Sequence, residues 1–188
     1  MDSAEHRFER VWSENAEAVL RYAYRQVPRS EVDDVFAETF AVAWRRVDEI
    51  PERALPWLLG VARGVAANAR RSSQRRAALH LRIVRNAPAE AVPDVSPVDA
   101  ELDPTAAQAL AGLSARDREL LTLLAWDGLS PSEAATVTGC SPPTLHVRLH
   151  RARTRFRALL AEASSQDPPR PVESTSSRSV IDSTGGAR

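Results

Sequence analysis

Between Leu129 and Arg157 the chain reads LSPSEAATVTGCSPPTLHVRLHRARTRFR, and this stretch has little freedom in how it folds. Ser130 and Glu133 have the spacing of a capping box, in which each side chain satisfies a backbone N–H of the other residue. Pro131 falls at the first helical position, where the missing N–H has no intrahelical partner to lose. Gly139 supplies the left-handed residue that ends a short helix. Ser141 caps a second helix, whose first turn tolerates Pro142 and Pro143 for the same reason as Pro131. Leu145, Leu149, Phe156, Leu159 and Leu160 point that helix toward a core, and Ala134, Ala135 and Val137 do so for the first. The remaining faces of the second helix carry His146, Arg148, His150, Arg151, Arg153, Arg155 and Arg157, with no acidic residue between Thr144 and Arg157. A short helix, a glycine turn and a basic helix fit a helix-turn-helix, whose second helix enters the DNA major groove. The competing reading is an amphipathic helix hairpin with a solvated arginine face.

The rest of the chain is also helical by its periodicity. Residues 4–27 repeat apolar side chains at Phe8, Val11, Trp12, Ala16, Val19, Leu20, Ala23 and Val27, and Pro28 stops that helix. Ser30 and Asp33 suggest a capping box opening a helix from Glu31 to about Val47. A third helix is expected from Pro56 to about Arg76, with Trp57, Leu58, Val61, Ala62, Val65 and Ala69 inward. Gly60 and Gly64 lie four apart on it, a spacing that would let another backbone approach closely. Helices resume at Ala106–Leu113 and at Ser114–Trp126, the latter behind a cap of Ser114 and Asp117, and Gly128 closes it. No stretch alternates in the period of a strand. The expected fold is all-α: two small helical domains joined by a flexible linker, the C-terminal one a helix-turn-helix.

Charge marks the boundaries. The 25 basic residues, all arginine, balance 25 acidic ones, but they are segregated. Residues 63–85 hold seven arginines and no acid, whereas residues 86–104 hold five acids, four prolines and no base. The second segment reads as a linker, and the Pro- and Ser-rich residues after Ala163 read as a disordered tail. The expected domains are residues 1–80, a linker at 81–104, a second domain at 105–163 and the tail at 164–188. A single cysteine, Cys140, leaves no partner for an internal disulfide. No apolar run approaches the roughly 18 residues of a membrane span. The charged N-terminus is unlike a signal peptide, so a soluble, cytoplasmic protein is expected. No phosphate-cradling glycine loop, metal-ligand cluster or nucleophile–base set is present, so neither catalysis nor a cofactor is expected.

Three segments then carry a family resemblance. DDVFAETFAVAWRRV at 33–47 resembles the acidic–aromatic helix of bacterial sigma factors, written D-x-x-Q-E-T-F. WLLGVARGVAANARR at 57–71 is similar to the W-L-x-x-I-A-R-N stretch that follows it, and LSARDRELLTLLAWDGLSPSEAATVTGCSPPTLHVRLHRAR at 113–153 resembles the C-terminal sigma domain. The compact size is similar to the extracytoplasmic-function group of the sigma-70 family. The resemblance implies a transcription initiation factor that binds core RNA polymerase, directs it to promoter DNA and helps melt the minus-ten element. It implies no enzyme activity, no membrane insertion, an anti-sigma partner and a monomer when free of partners.

Carried over by position, the resemblance puts Asp33, Asp34, Glu38, Thr39, Phe40 and Trp44 on the surface that docks polymerase. It puts the loop Asp48–Pro56 and the following helix against the minus-ten element, with Arg63, Asn68, Arg70, Arg71 and Arg75 as contacts. Trp57, a tempting stacking platform, fits a core position better. The minus-thirty-five element would be met by Ser141, Thr144, His146, Val147, Arg148, Arg151 and Arg153. Arg148 or Arg151 would pair with guanine, while arginines further along would meet phosphate or solvent. Ala37 stands where the family pattern has glutamine, Gly64 and Asn68 where asparagine and aspartate are common, Ala135 where isoleucine is usual, and Pro143 where glycine is usual. Two other readings are a free-standing dimeric helix-turn-helix regulator and a helical module whose basic faces hold an acidic protein.

Overall fold

A computed structural model describes residues 3–83 and 103–166, with side chains as far as Arg76 and Ser165. The expected linker and tail lie outside the described residues for most of their length. Seven α-helices follow in order: α1 (Ala4–Gln26), α2 (Arg29–Arg45), α3 (Ala54–Ile83), α4 (Pro104–Ala111), α5 (Ala115–Ala125), α6 (Pro131–Thr138) and α7 (Pro142–Gln166). A short 3-10 turn, Val47–Glu49, leads from α2 toward α3. Among the described residues no strand forms, and no helix is long and apolar enough to cross a membrane.

Most starts follow from side-chain caps. Ser3 accepts from the His6 N–H at the head of α1, Asp103 accepts from Thr105 and Ala106 at α4, and Ser114 accepts from Asp117 at α5. The box at α6 is complete: the Ser130 hydroxyl receives the Glu133 N–H, and the Glu133 carboxylate receives the Ser130 N–H at 2.8 Å. Gly139 ends α6 at φ 68°, the left-handed conformation that a side chain would strain. The α2 start differs from the expected box. That helix opens at Arg29 with no side-chain cap, because Pro28 fixes the approach and its carbonyl accepts the Glu31 N–H at 2.8 Å. Ser30 and Asp33 therefore lie inside the helix and in solvent.

Helices α1, α2 and α3 pack against one another, and α4, α5 and α6 pack on α7. The two helical halves touch. Helix α6 lies against α3, and one apolar cluster runs through both halves, from Val19, Tyr22, Leu58 and Leu59 to Leu120, Leu123, Leu145 and Leu149. Truncating one such fully buried leucine to alanine costs about 2–5 kcal/mol. On α3 the buried line is Leu58, Leu59, Ala62 and Ala66, while Trp57, Val61 and Val65 are only half-buried. The expected inward stripe is thus rotated, and its aromatic edge opens on a surface groove. Gly60 and Gly64 do not admit another backbone, since an added Cβ would meet nothing within 4 Å at either position.

Candidate protein-docking and nucleic-acid interfaces

Five aromatic rings gather where α1 crosses α2. Trp12 lies 4.3 Å from Phe40 and 5.2 Å from Phe36 between ring centroids, and Phe8 lies 5.1 Å from Trp44. The tilted and edge-on geometries are those that aromatic quadrupoles favour. Trp12 and Trp44 remain 40% and 48% exposed, an unusual placement for the largest apolar side chains. Asp33, Asp34 and Glu38 are exposed on the same helix as Trp44, and Glu38 pairs with Arg45 at 2.9 Å. The result is an apolar patch edged with carboxylates.

Two of the six residues expected there are inside instead. Thr39 is fully buried and its hydroxyl donates to the Val35 carbonyl at 2.6 Å; Phe40 is 2% exposed. Both lie on the side of α2 shared with Val32, Val35 and Ala43, so they hold the face rather than form it. Trp12 takes their place on the surface. Helical spacing marks it only as part of an apolar stripe, because periodicity cannot distinguish a ring covered on one side from a ring covered on both.

The five α3 residues expected to meet nucleic acid divide between two flanks. Asn68, Arg71 and Arg75 continue the line of Trp57, Gly60, Val61 and Gly64 at i, i+3, i+4 and i+7 spacing, and all three are exposed. Trp57, Gly60, Gly64 and Asn68 line a shallow groove whose far edge is Thr136 of α6. Trp57 stands under the Arg46 guanidinium, 5.6 Å from its ring centroid, and Arg71 donates to the Asn68 side-chain oxygen. Arg63 and Arg70 point to the other flank, toward the seam between the halves. Arg70 donates to the Gln26 carbonyl at 2.7 Å, and Arg63 donates through Nε to the Glu119 carboxylate at 2.9 Å.

That seam is the main feature the sequence did not reveal. Glu119 also accepts from the Tyr22 hydroxyl at 2.7 Å, and burial, reinforced by this carboxylate, pushes the Tyr22 phenol far up. Arg25 pairs with Asp127, with side chains 7% and 0% exposed, and its guanidinium lies 5.5 Å from the centre of the Trp126 ring. Burial raises the Asp127 carboxyl, although Arg25 opposes the shift. At the edge, Arg53 reaches Glu133 at 3.1 Å and the Gly128 carbonyl at 3.3 Å. Burial would raise the Glu133 carboxyl, but the Ser130 hydrogen bonds and Arg53 together hold it below its ordinary value.

On α7, Leu145, Leu149 and Ala152 are buried and lock the helix against its own domain. Thr144, Val147 and Arg151 follow one another at helical spacing on the outer side, with Val147 52% exposed, and Arg148 is half-buried at the edge of that side. Ser141 shares a hydroxyl contact with Thr144 at 2.8 Å and sits beside them. His146 and Arg153 are exposed on a different flank; the His146 ring nitrogen Nδ1 contacts the Pro142 carbonyl at 2.8 Å. Arg153 borders an apolar groove with Leu121, Leu124 and Phe156. Among the described residues no group of His, Cys, Asp or Glu could hold a metal ion.

The comparisons with known proteins match both halves. Residues 11–76 fit the family model described as Sigma-70 region 2, and residues 106–156 fit Sigma-70, region 4. An extracytoplasmic-function RNA polymerase sigma factor, SigL of Mycobacterium tuberculosis, is 33% identical over 157 residues, covering 81% of this chain and 88% of that protein. The RNA polymerase sigma factor NccH of Alcaligenes xylosoxydans xylosoxydans is 32% identical, covering 71% and 75%. The solved structure of CnrH in complex with the cytosolic domain of CnrY aligns with a TM-score of 0.54 at 25% identity, covering 82% of this chain and 88% of that one.

Proposed function

The chain belongs to the extracytoplasmic-function group of the sigma-70 family, and from that premise we propose how its surfaces divide the work of starting transcription. It is a transcription initiation factor that binds core RNA polymerase and directs it to promoters. The aromatic–acidic face of Trp12, Trp44, Asp33, Asp34 and Glu38 docks polymerase. Exposed rings edged with charge suit a partner surface that buries the rings and answers the carboxylates with basic side chains.

The groove of Trp57, Asn68, Arg71 and Arg75 receives the minus-ten element. Its arginines supply phosphate affinity, and its half-buried Trp57 offers a ring for an unstacked base. Thr144, Val147, Arg148 and Arg151 read the minus-thirty-five element, and Arg153 serves the backbone. Residues 1–80 and 105–163 act as two weak binding modules whose joint engagement is strong. The family's work is binding and melting, so the chain acts in the cytoplasm without catalysis. An anti-sigma protein, of the kind solved in complex with the sigma factor RpoE from Bartonella quintana, holds it inactive.

The observation that carries this division is α7 itself: Leu145, Leu149 and Ala152 anchor one side while Thr144, Val147 and Arg151 stand exposed on the other, with Arg148 half-buried between the two. In vitro transcription with purified core polymerase on a genomic fragment library tests it. Specific transcripts should require the protein, and Arg148→Ala with Arg151→Ala should redistribute start sites rather than abolish core binding. Specific DNA binding by a free dimer, with no polymerase-dependent transcripts, would refute it. The reading as a dimeric regulator is not favoured, since both halves match sigma regions.

A further inference from the structure

Between α3 and α5 the two halves enclose a cavity of about 470 Å³ lined by Arg25, Arg63, Arg70, Arg116, Arg118 and Trp126, with Tyr24 and Glu119 also on its wall. Two of the five guanidiniums are answered by carboxylates, Arg25 by Asp127 and Arg63 by Glu119. Among the described residues the other three have no carboxylate partner. Arg70 donates to the carbonyl and side-chain oxygen of Gln26, and Arg118 donates to the carbonyls of Leu110, Ala111 and Leu113. Those bonds fix the two side chains in place without neutralising them. Arg116 is exposed at the rim.

Arg116 and Arg118 also stand in the opening turns of α5, where the helix dipole already presents positive charge and arginine is disfavoured. Asp117, beside them, gives its carboxylate to the Ser114 hydroxyl at 2.8 Å and does not line the cavity. Three guanidiniums with no carboxylate partner, two of them on the exposed residues Arg116 and Arg118, thus line one concave space beside the α5 N-terminus and give it a positive potential. The volume falls within the roughly 300–1,000 Å³ of small-molecule sites. Guanidinium forks match phosphate oxygens two at a time.

We propose that this cavity binds a small molecule bearing a diphosphate group. The phosphates sit between Arg70, Arg116 and Arg118, and a base, where the ligand carries one, lies against Trp126 and Tyr24. The walls come from both halves, so the site is complete only while α3 and α5 face each other. A ligand held by both halves favours the closed chain, so any partner whose binding parts the halves and this ligand weaken each other by the same factor.

Isothermal titration of the full chain, without polymerase or DNA, decides the matter independently of the division of surfaces proposed above. The probes are ADP, GDP, inorganic pyrophosphate and inorganic phosphate, each at matched ionic strength. A diphosphate should bind with one-to-one stoichiometry at least tenfold tighter than phosphate, and should raise the melting temperature. ADP or GDP binding tighter than pyrophosphate assigns the base to the aromatic wall; equal affinity assigns the site to the diphosphate group alone. Arg116→Glu, at an exposed position, should weaken binding tenfold or more without lowering ligand-free melting, with Arg116→Lys retaining part of the affinity. Equal weak binding of all four probes, or full affinity in Arg116→Glu, overturns the proposal.

Discussion

Replacing Asp127 with asparagine breaks the most deeply buried ion pair among the described residues, at the point where the two halves meet. The pair is a poor net stabiliser as it stands: Arg25 Nε and Nη1 and Asp127 Oδ1 have no hydrogen-bond partner. Charges buried with spare polar atoms recover little of their desolvation cost. Removing one partner is different, because it strands a guanidinium that is 7% exposed, a loss of about 3–5 kcal/mol when a buried pair is broken.

Arg25 has an escape that a core residue lacks, since parting the halves returns it to water. The observed loss therefore cannot exceed the free energy of closing, and Asp127→Asn should open the chain before it unfolds it. Small-angle scattering should show a larger radius, and Trp126 emission should shift red as the seam wets. Helix content should stay unchanged. Arg25→Met combined with Asp127→Leu should close the chain again, to within about 1 kcal/mol of the parent, because two apolar side chains replace two charges. A compact, parent-like Asp127→Asn, or a double variant as open as the single, would refute the reasoning.

Trp12→Ala and Trp44→Ala should each weaken core polymerase binding by about 2 kcal/mol or more, measured by competition, without altering which promoters are used. Arg151→Ala should relax base preference in the minus-thirty-five element by about 1–3 kcal/mol, whereas Arg155→Ala should weaken binding evenly and lower the salt slope by about one. Glu133 carries a depressed carboxyl, so its contribution is full above the ordinary carboxylate range and is lost as pH falls through the folded value. Melting temperatures between roughly pH 3 and 6 should thus fall less steeply toward acid in Glu133→Gln than in the parent, on top of a uniform loss of about 1 kcal/mol from the missing cap. An unchanged slope would place the acid sensitivity elsewhere.

What could be read from the sequence was what the backbone settles within a few residues. The Ser130–Glu133 box, the Ser114 cap and the left-handed Gly139 each follow from contacts three to five positions apart, and each formed. The α2 start did not, because Ser30 offered a side-chain signal that the Pro28 carbonyl pre-empted. Thr39 and Phe40 were carried to the docking surface by the resemblance, which gives position but not burial, and the exposure of Trp12 was hidden because a helical stripe gives direction but not how many neighbours cover it. The seam was out of reach altogether. Tyr22 meets Glu119 across 97 positions and Arg25 meets Asp127 across 102. Nothing in the local pattern of α5 separates Glu119, which is buried, from an ordinary solvated glutamate.

This invisibility bears on how the chain works. The arginines of α3 were read as phosphate contacts, and in the closed chain one of them, Arg63, already holds a carboxylate. A carboxylate and a phosphate oxygen make the same kind of charge-assisted bond to a guanidinium. Exchanging Glu119 for a phosphate therefore leaves the electrostatic balance at Arg63 nearly unchanged. The free energy of opening must then come mainly from parting apolar surface along α3 and α6 and from the buried Arg25–Asp127 pair. Polymerase docking on the exposed aromatic face cannot supply that energy through Arg63; it has to act through the packing of α1 and α2 against α3. Substitutions at the buried Ala62 should accordingly shift promoter engagement more than Arg63→Gln does, even though its side chain carries no charge.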